Sequence, residues 1–198
     1  RALAPNPLVL LMDEPFSGLD RELRERMCQE VSEMLKDRGT TCVMVTHDQS
    51  DAFNLGEMIG IMKGGAITQW DNPYNIYHRP NNRFVANFIG DGVFIKGDMK
   101  SNTSVSTDLG LINSSKQSVS NVSSNVEVLV RPDDVVFDPD GPIVAQVLRR
   151  AFKGAQILYT LQANNIKLLA LFASHKNFNI GESVSVRIAL DELIVFPR

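Results

Sequence analysis

A short apolar run that stops on two acids, Leu8-Val9-Leu10-Leu11-Met12-Asp13-Glu14, constrains this chain more than any other feature. Five apolar residues suit a strand buried in a parallel sheet better than a helix. Behind it, Leu23, Met27, Val31, Met34 and Leu35 recur at spacings of three and four with charges between them, and Gly39 supplies a C-terminal stop. That pattern predicts an amphipathic helix over residues 20–38. Thr41-Cys42-Val43-Met44-Val45 reads as a second buried strand, and Asp48 as the cap of a short helix through Ala52 and Phe53. Residues 58–62 and 66–70 flank Lys63-Gly64-Gly65 and predict a glycine-turned hairpin, after which Asn72-Pro73 starts another helix. Strand, helix, strand, helix predicts an α/β fold whose strands are buried on both faces.

After Gly90 the texture changes to short β-like runs separated by Gly, Asn, Asp and Pro, which predicts a small all-β barrel or sandwich and a domain boundary near residue 90. Strands are expected at 93–96, 126–130, 135–137, 143–151, 157–161, 166–172, 184–188 and 193–196. Residues 101–125 hold 11 Ser or Thr and four Asn, a composition expected to be loop-like. Its three glycosylation-type triplets, at Asn102, Asn113 and Asn121, read as chance products of that composition.

Charge narrows the partners. Residues 1–90 carry 9 basic and 12 acidic side chains and residues 91–198 carry 11 of each, so neither half is a polycation and nonspecific nucleic-acid binding lacks its driving force. With few aromatics to stack bases, a barrel of the second kind is not expected to bind oligonucleotides. The apolar runs fall far short of the roughly 20 residues that cross a bilayer, and neither insertion nor secretion is expected of this segment. Cys28 and Cys42 sit in apolar patterns and suit a reducing compartment. His78 and His175 have no Cys or His at metal-ligand spacing. Met27, Met34 and Met44 read as core filler, and Trp70 and Tyr77 as residues packed between the two domains.

The chemistry concentrates at Asp13 and Glu14. Ligands bind at the carboxyl edge of parallel strands, where these acids fall. One carboxylate can hold magnesium, directly or through water, while its neighbour, pointing differently, can orient an attacking water. Two adjacent acids also repel each other, which makes one a better base. His47 ends the next strand and is placed beside the same edge.

Continuing through Pro15-Phe16-Ser17-Gly18-Leu19-Asp20, these residues resemble the ATP-binding subunits of ABC transporters: residues 8–14 are similar to the Walker B strand and Ser17-Gly18-Leu19-Asp20 to the D-loop. Val45-Thr46-His47-Asp48-Gln49 resembles the switch-histidine segment. Residues 61–70, 72–77, Pro80 and 84–90 are similar to the end of the nucleotide-binding domain in solute importers with a C-terminal extension. Val128-Leu129-Val130-Arg131-Pro132-Asp133-Asp134-Val135 resembles a strand of that extension, the transport-associated OB-like domain. Phe88-Ile89-Gly90-Asp91-Gly92-Val93 and Val195-Phe196-Pro197 lean toward the ferric-iron importer branch. The resemblance implies a partial P-loop NTPase nucleotide-binding domain over 1–90 and an all-β OB-like regulatory domain over 91–198.

It also implies roles. Asp13 would hold Mg2+ and Glu14 would polarise the attacking water, His47 would reach the γ-phosphate of ATP, and Ser17, Gly18 and Asp20 would belong to the nucleotide site, with Asp20 communicating across a homodimer. Implied partners are transmembrane permease subunits, a second copy of the chain and, indirectly, a solute-binding protein, at the cytoplasmic face of the cell membrane and without nucleic acid. No G-x-x-x-x-G-K-[ST], Q-loop or Leu-Ser-Gly-Gly signature occurs, and Arg1-Ala2-Leu3-Ala4 resembles the tail of the helix after that signature. The expectation is a fragment that neither binds ATP tightly nor hydrolyses it, and that self-associates through exposed sheet edge. Two alternatives stand beside it: a non-catalytic regulatory and dimerisation module, and a chromosome or DNA-repair ATPase of the same superfamily. The 65–90 pattern and the appended β domain count against the latter.

Overall fold

The computed structural model describes residues 3–116 and 124–198. Arg1, Ala2 and the Asn121 triplet lie outside them. The chain divides into two compact units, Arg1–Tyr77 and His78–Arg198.

The first unit is built on a β-α-β element. Strand β1 (Val9–Asp13) pairs in parallel with β2 (Thr41–Val45), Val9 facing Thr41 and Asp13 facing Val45, and helix α1 (Arg21–Arg38) connects them. Asp20 starts α1 by accepting from Leu23 N–H at 3.0 Å, and Gly39 ends it at φ 61°, a left-handed geometry that glycine adopts without strain. Helix α2 (Gln49–Leu55) follows, capped by Asp48, and then the antiparallel hairpin β3 (Ile59–Lys63) and β4 (Ala66–Asp71) and helix α3 (Pro73–His78). Trp70 is exposed and lies over Gly60, where a Cβ would come within 2.7 Å of its ring.

One expectation fails in this unit. The strands are not buried on both faces: Val9, Leu11, Val43 and Val45 point to one side and are each more than half exposed, while Leu10, Met12, Cys42 and Met44 point to the other and are partly covered. The sheet has two strands, and a parallel pair is buried twice only when layers cover both faces. On α1 the buried positions are Cys28 and Leu35, whereas Met34 is exposed.

The second unit opens with α4 (Arg83–Ile89), a helix that the residue pattern alone did not announce. Asn82 caps it, accepting from Val85 N–H at 2.9 Å. Eleven strands follow: β5 (Val93–Ser101), β6 (Ser104–Thr107), β7 (Gly110–Lys116), β8 (Asn125–Val130), β9 (Val135–Phe137), β10 (Ile143–Phe152), β11 (Gln156–Ala163), β12 (Ile166–Ala173), β13 (Ser183–Ile188), β14 (Leu190–Glu192) and β15 (Val195–Pro197). They form a five-stranded sheet in the order β12-β11-β10-β13-β9 and a six-stranded sheet in the order β14-β7-β6-β5-β8-β15. Both curl. The opposite edges β14 and β15 are separated by two residues, and Leu171 of β12 donates its N–H to Pro132 C=O, just ahead of β9, at 2.9 Å. Their inner faces share one apolar core, within which Tyr159 is fully enclosed against Phe172 and Phe178.

The Ser/Thr-rich stretch is a second correction. Rather than a loop, its described residues 101–116 carry the end of β5, then β6 and β7 paired antiparallel, with Val105 and Ile112 inside the core and Ser104 and Ser106 on the opposite face of β6 from Val105. Asn102 lies in the turn before β6 and Asn113 on β7. The strand expected at 193–196 is shorter and shifted: only Val195 and Phe196 pair, as the start of β15, while Leu193 is buried in the two-residue break after β14. The compact unit starts ahead of residue 90 because α4 belongs to it. Ala86 packs with Leu129 and Phe196, and the buried Arg131 donates Nη1 to the carbonyls of Ala86 (3.0 Å), Gly90 (2.7 Å) and Asp91 (3.1 Å).

Candidate functional site

Parallel pairing sets the site. Because Asp13 faces Val45, the two residues after each strand leave the sheet at one edge, and Glu14 N–H extends the ladder by donating to Val45 C=O at 2.8 Å. Glu14 then takes φ 47°, a left-handed conformation that costs a non-glycine residue on the order of 1–3 kcal/mol. The turn re-aims its side chain. Ser17 N–H bonds back to Glu14 C=O at 3.1 Å, Leu19 N–H to Phe16 C=O at 3.3 Å, Phe16 is buried, and Gly18 at φ 81° completes the bend into the Asp20 cap.

From the loop after β2, His47 presents Nδ1 to the Glu14 carboxylate and the two form an ion pair when the imidazole is protonated. The hydrogen bond that His47 donates to Glu14, and then the Glu14 charge, raise the His47 pKa above the usual imidazole value. Both groups remain accessible, His47 at 75% of its side chain and Glu14 at 38%. Asp13, the last residue of β1, is exposed one position earlier.

Of the residues singled out from the sequence, the fold brings Glu14 and His47 into contact and holds Asp13 at the same strand end. Ser17 and Gly18 lie exposed in the turn, and Asp20 is occupied as the α1 cap. Among the described residues no group of three or more His, Cys, Asp or Glu is arranged to hold a metal ion. One exposed carboxylate nonetheless matches the habit of Mg2+, which takes one or two protein carboxylates and completes its shell with phosphate oxygens and water.

Sequence reasoning missed the polar scaffold behind the pair. Arg24 forms an ion pair with Asp48 and donates Nη2 to Leu19 C=O at 3.3 Å. Asp48 N–H donates to Thr46 Oγ1 at 3.0 Å, Thr46 Oγ1 to the buried Asp51 at 3.4 Å, and Cys28 Sγ lies 3.8 Å from the other Asp51 oxygen. Burial, together with Asp51, pushes the Cys28 thiol up to about 11, so it stays protonated and unreactive. The available signal was spacing: Arg24 stands four residues before the buried Cys28, on the same face of α1.

Residues 128–196 match the TOBE domain family. The chain is 40% identical over 156 residues to the spermidine/putrescine import ATP-binding protein PotA of Aster yellows witches'-broom phytoplasma (strain AYWB), covering 78% of this chain and 37% of that protein. It is 35% identical to PotA of Pseudomonas fluorescens (strain Pf0-1), covering 96% and 55%, and 33% identical to PotA of Clostridioides difficile (strain 630), covering 100% and 57%. The chain thus spans about half the length of the curated relatives it matches. The chain belongs to the family of ABC importer ATP-binding subunits and carries a TOBE domain over residues 128–196.

Proposed function

We propose that the protein to which this chain belongs couples ATP hydrolysis to solute import, with Glu14 and His47 as the hydrolytic pair. The contact between Glu14 and His47 at the end of two parallel strands carries this reading. Glu14 has an accessible carboxylate, aimed by a left-handed turn, that can accept a proton from an attacking water. His47, protonated over a wider pH range because of Glu14, can donate a hydrogen bond to a phosphate oxygen. Asp13 would hold Mg2+, which neutralises phosphate charge when ATP is bound. Ser17, Gly18 and Asp20 shape the neighbouring loop, where a second copy of the protein would contact it. Residues 1–90 are accordingly part of a P-loop NTPase nucleotide-binding domain and 91–198 its OB-like regulatory domain. The chain by itself, with no phosphate-cradling loop, is proposed to be inactive.

Among the described residues no helix is long and apolar enough to cross a membrane. We place the protein at the cytoplasmic membrane face, docked to permease subunits that receive solute from a binding protein. For the cargo, the lean toward ferric iron finds no support among the relatives, whose names carry polyamine import; a polyamine such as spermidine or putrescine is the cargo we propose. A non-catalytic regulatory and dimerisation role for this chain alone is favoured by one observation, that the barrel has a complete core while the β1–β2 sheet does not. The test of the catalytic reading is Glu14→Gln in the longer protein. Loss of a general base should lower the ATPase kcat by about 100-fold or more; undiminished turnover removes the assignment.

A further inference from the structure

Glu14 and His47 come from different loops, and the backbone ladder between them ends at the bond from Glu14 N–H to Val45 C=O, short of His47. The pair is set by contact between an exposed imidazole and a half-exposed carboxylate. Such a contact holds a geometry only if the backbones beneath it are held.

One side chain reaches both loops. Arg24 lies on the first turns of α1, four residues after the Asp20 cap, and its own N–H bonds to Asp20 C=O at 2.9 Å. Its guanidinium fork divides. Nη1 meets the carboxylate of Asp48, the residue directly after His47. Nη2 donates to the carbonyl of Leu19, in the turn that Glu14 opens. Asp48 is itself fixed, accepting from Ser50 N–H at 2.8 Å as the cap of α2 and donating its N–H to Thr46 Oγ1 at 3.0 Å. His47 therefore stands between two residues that are each pinned, Thr46 through the buried Asp51 and Asp48 through Arg24. The ion pair is only about a quarter exposed on either side, so water competes with it less than with a surface pair.

We infer that Arg24 is the positioning residue of the Glu14–His47 pair, locking the loop after β1 to the loop after β2. Arg24 touches neither Glu14 nor His47, and acts through Leu19 and Asp48. The inference rests on the proposal that the pair serves hydrolysis, but the locking itself does not. A planar fork is required, because its two ends bond different loops; a lysine offers a single ammonium and cannot hold both.

Amide hydrogen exchange on this chain tests the lock without any nucleotide. In Arg24→Gln, residues 16–19 and 46–50 should both exchange at least about tenfold faster, the effect of losing one charge-assisted hydrogen bond, while β3, β4 and the barrel keep wild-type protection. Arg24→Lys should protect 46–50 through Asp48 and leave 16–19 loosened. In the longer protein, Arg24→Gln should lower the ATPase kcat by about 100-fold, as expected of a displaced reacting group, with the KM for Mg-ATP unchanged and Arg24→Lys intermediate. The inference is overturned if only one loop loosens in Arg24→Gln, if protection falls evenly through the first unit, or if KM rises while kcat holds. Should Glu14→Gln leave turnover intact while both loops still loosen together, the catalytic reading fails and the lock survives. Loops that stay independent beside an inactive Glu14→Gln protein refute the lock alone.

Discussion

The barrel and the β-α-β element treat the same kinds of side chain in opposite ways. In the barrel, Val105, Val126, Val128 and Leu161 expose nothing to solvent, because two curled sheets close over each other. In the β-α-β element, Val9, Leu11, Val43 and Val45 are apolar and β-prone, yet stand in the open. Apolar sequence in a strand thus reports a demand for cover, and whether the demand is met depends on how many layers the rest of the fold supplies. The first unit keeps its polar chemistry at the edge of an incompletely covered sheet, and the second is a closed body.

The sharpest contrast to break is in the core of the barrel. Tyr159 is fully buried, packs its ring against Phe172 and Phe178, and its hydroxyl donates to Lys176 C=O at 2.8 Å and accepts from Phe178 N–H at 3.0 Å. Tyr159→Ala leaves a cavity and an unsatisfied amide, and should destabilise the barrel by about 4 kcal/mol. Urea denaturation followed by circular dichroism checks it, and a loss below about 1 kcal/mol would mean that the barrel core is not the closed body described here.

The two units also differ in how they respond to pH. Asp134 accepts from Arg131 N–H at 2.7 Å, but burial, and to a lesser degree Asp133, hold its pKa up at about 6. A carboxyl raised in the folded state binds its proton more tightly than in the unfolded chain. Its contribution to stability is therefore greatest below about pH 4 and is lost as pH rises through about 6, by roughly 1–3 kcal/mol in all. His47 is also raised, by Glu14, so its contribution is present below the ordinary histidine pKa of about 6.5 and fades above it, as pH passes the folded value. Denaturation midpoints measured from pH 4 to 8 should thus fall in two windows, the lower abolished by Asp134→Asn and the upper by Glu14→Gln. A profile unchanged by Asp134→Asn contradicts the burial of that carboxyl.

Much of this was legible in residue patterns, for stated reasons. Asp20 and Gly39 bracketed α1, and Gly64 and Gly65, both at positive φ, marked the hairpin turn, because caps and left-handed turns are local constraints that a few side chains can meet. The juxtaposition of the Glu14 and His47 strand ends was legible for a different reason, since parallel neighbours in a β-α-β unit align their carboxyl edges. What stayed hidden depended on averages or on distant partners. Serines at 104, 106 and 114 masked β6 and β7, because composition over 25 residues says nothing about which single residue in each short strand, Val105 or Ile112, faces inward. Helix α4 was hidden by its partner: its place is decided by Arg131, more than 40 residues away in sequence. Arg24 reads as one charge among many on a solvated helix until the fold brings Asp48 to it.

The smallest expected effect is the one that bears most on the comparison. Leu11 is 74% exposed in the middle of β1, and Leu11→Thr keeps a strand-forming residue while removing apolar surface that touches little. In this chain it should change stability by no more than about 0.5 kcal/mol, as for a surface substitution. In the longer protein we propose that further strands and a second layer cover that face, and there the same substitution should cost about 2 kcal/mol or more, since it would bury a hydroxyl where a large apolar group packed. Chemical denaturation of both proteins gives the two numbers. Equal small costs would mean that the face stays open even in the whole protein, and the exposed strands would then have to be explained without any covering layer. A large cost in this chain itself would mean that the face is already covered, and the contrast between the two units would disappear.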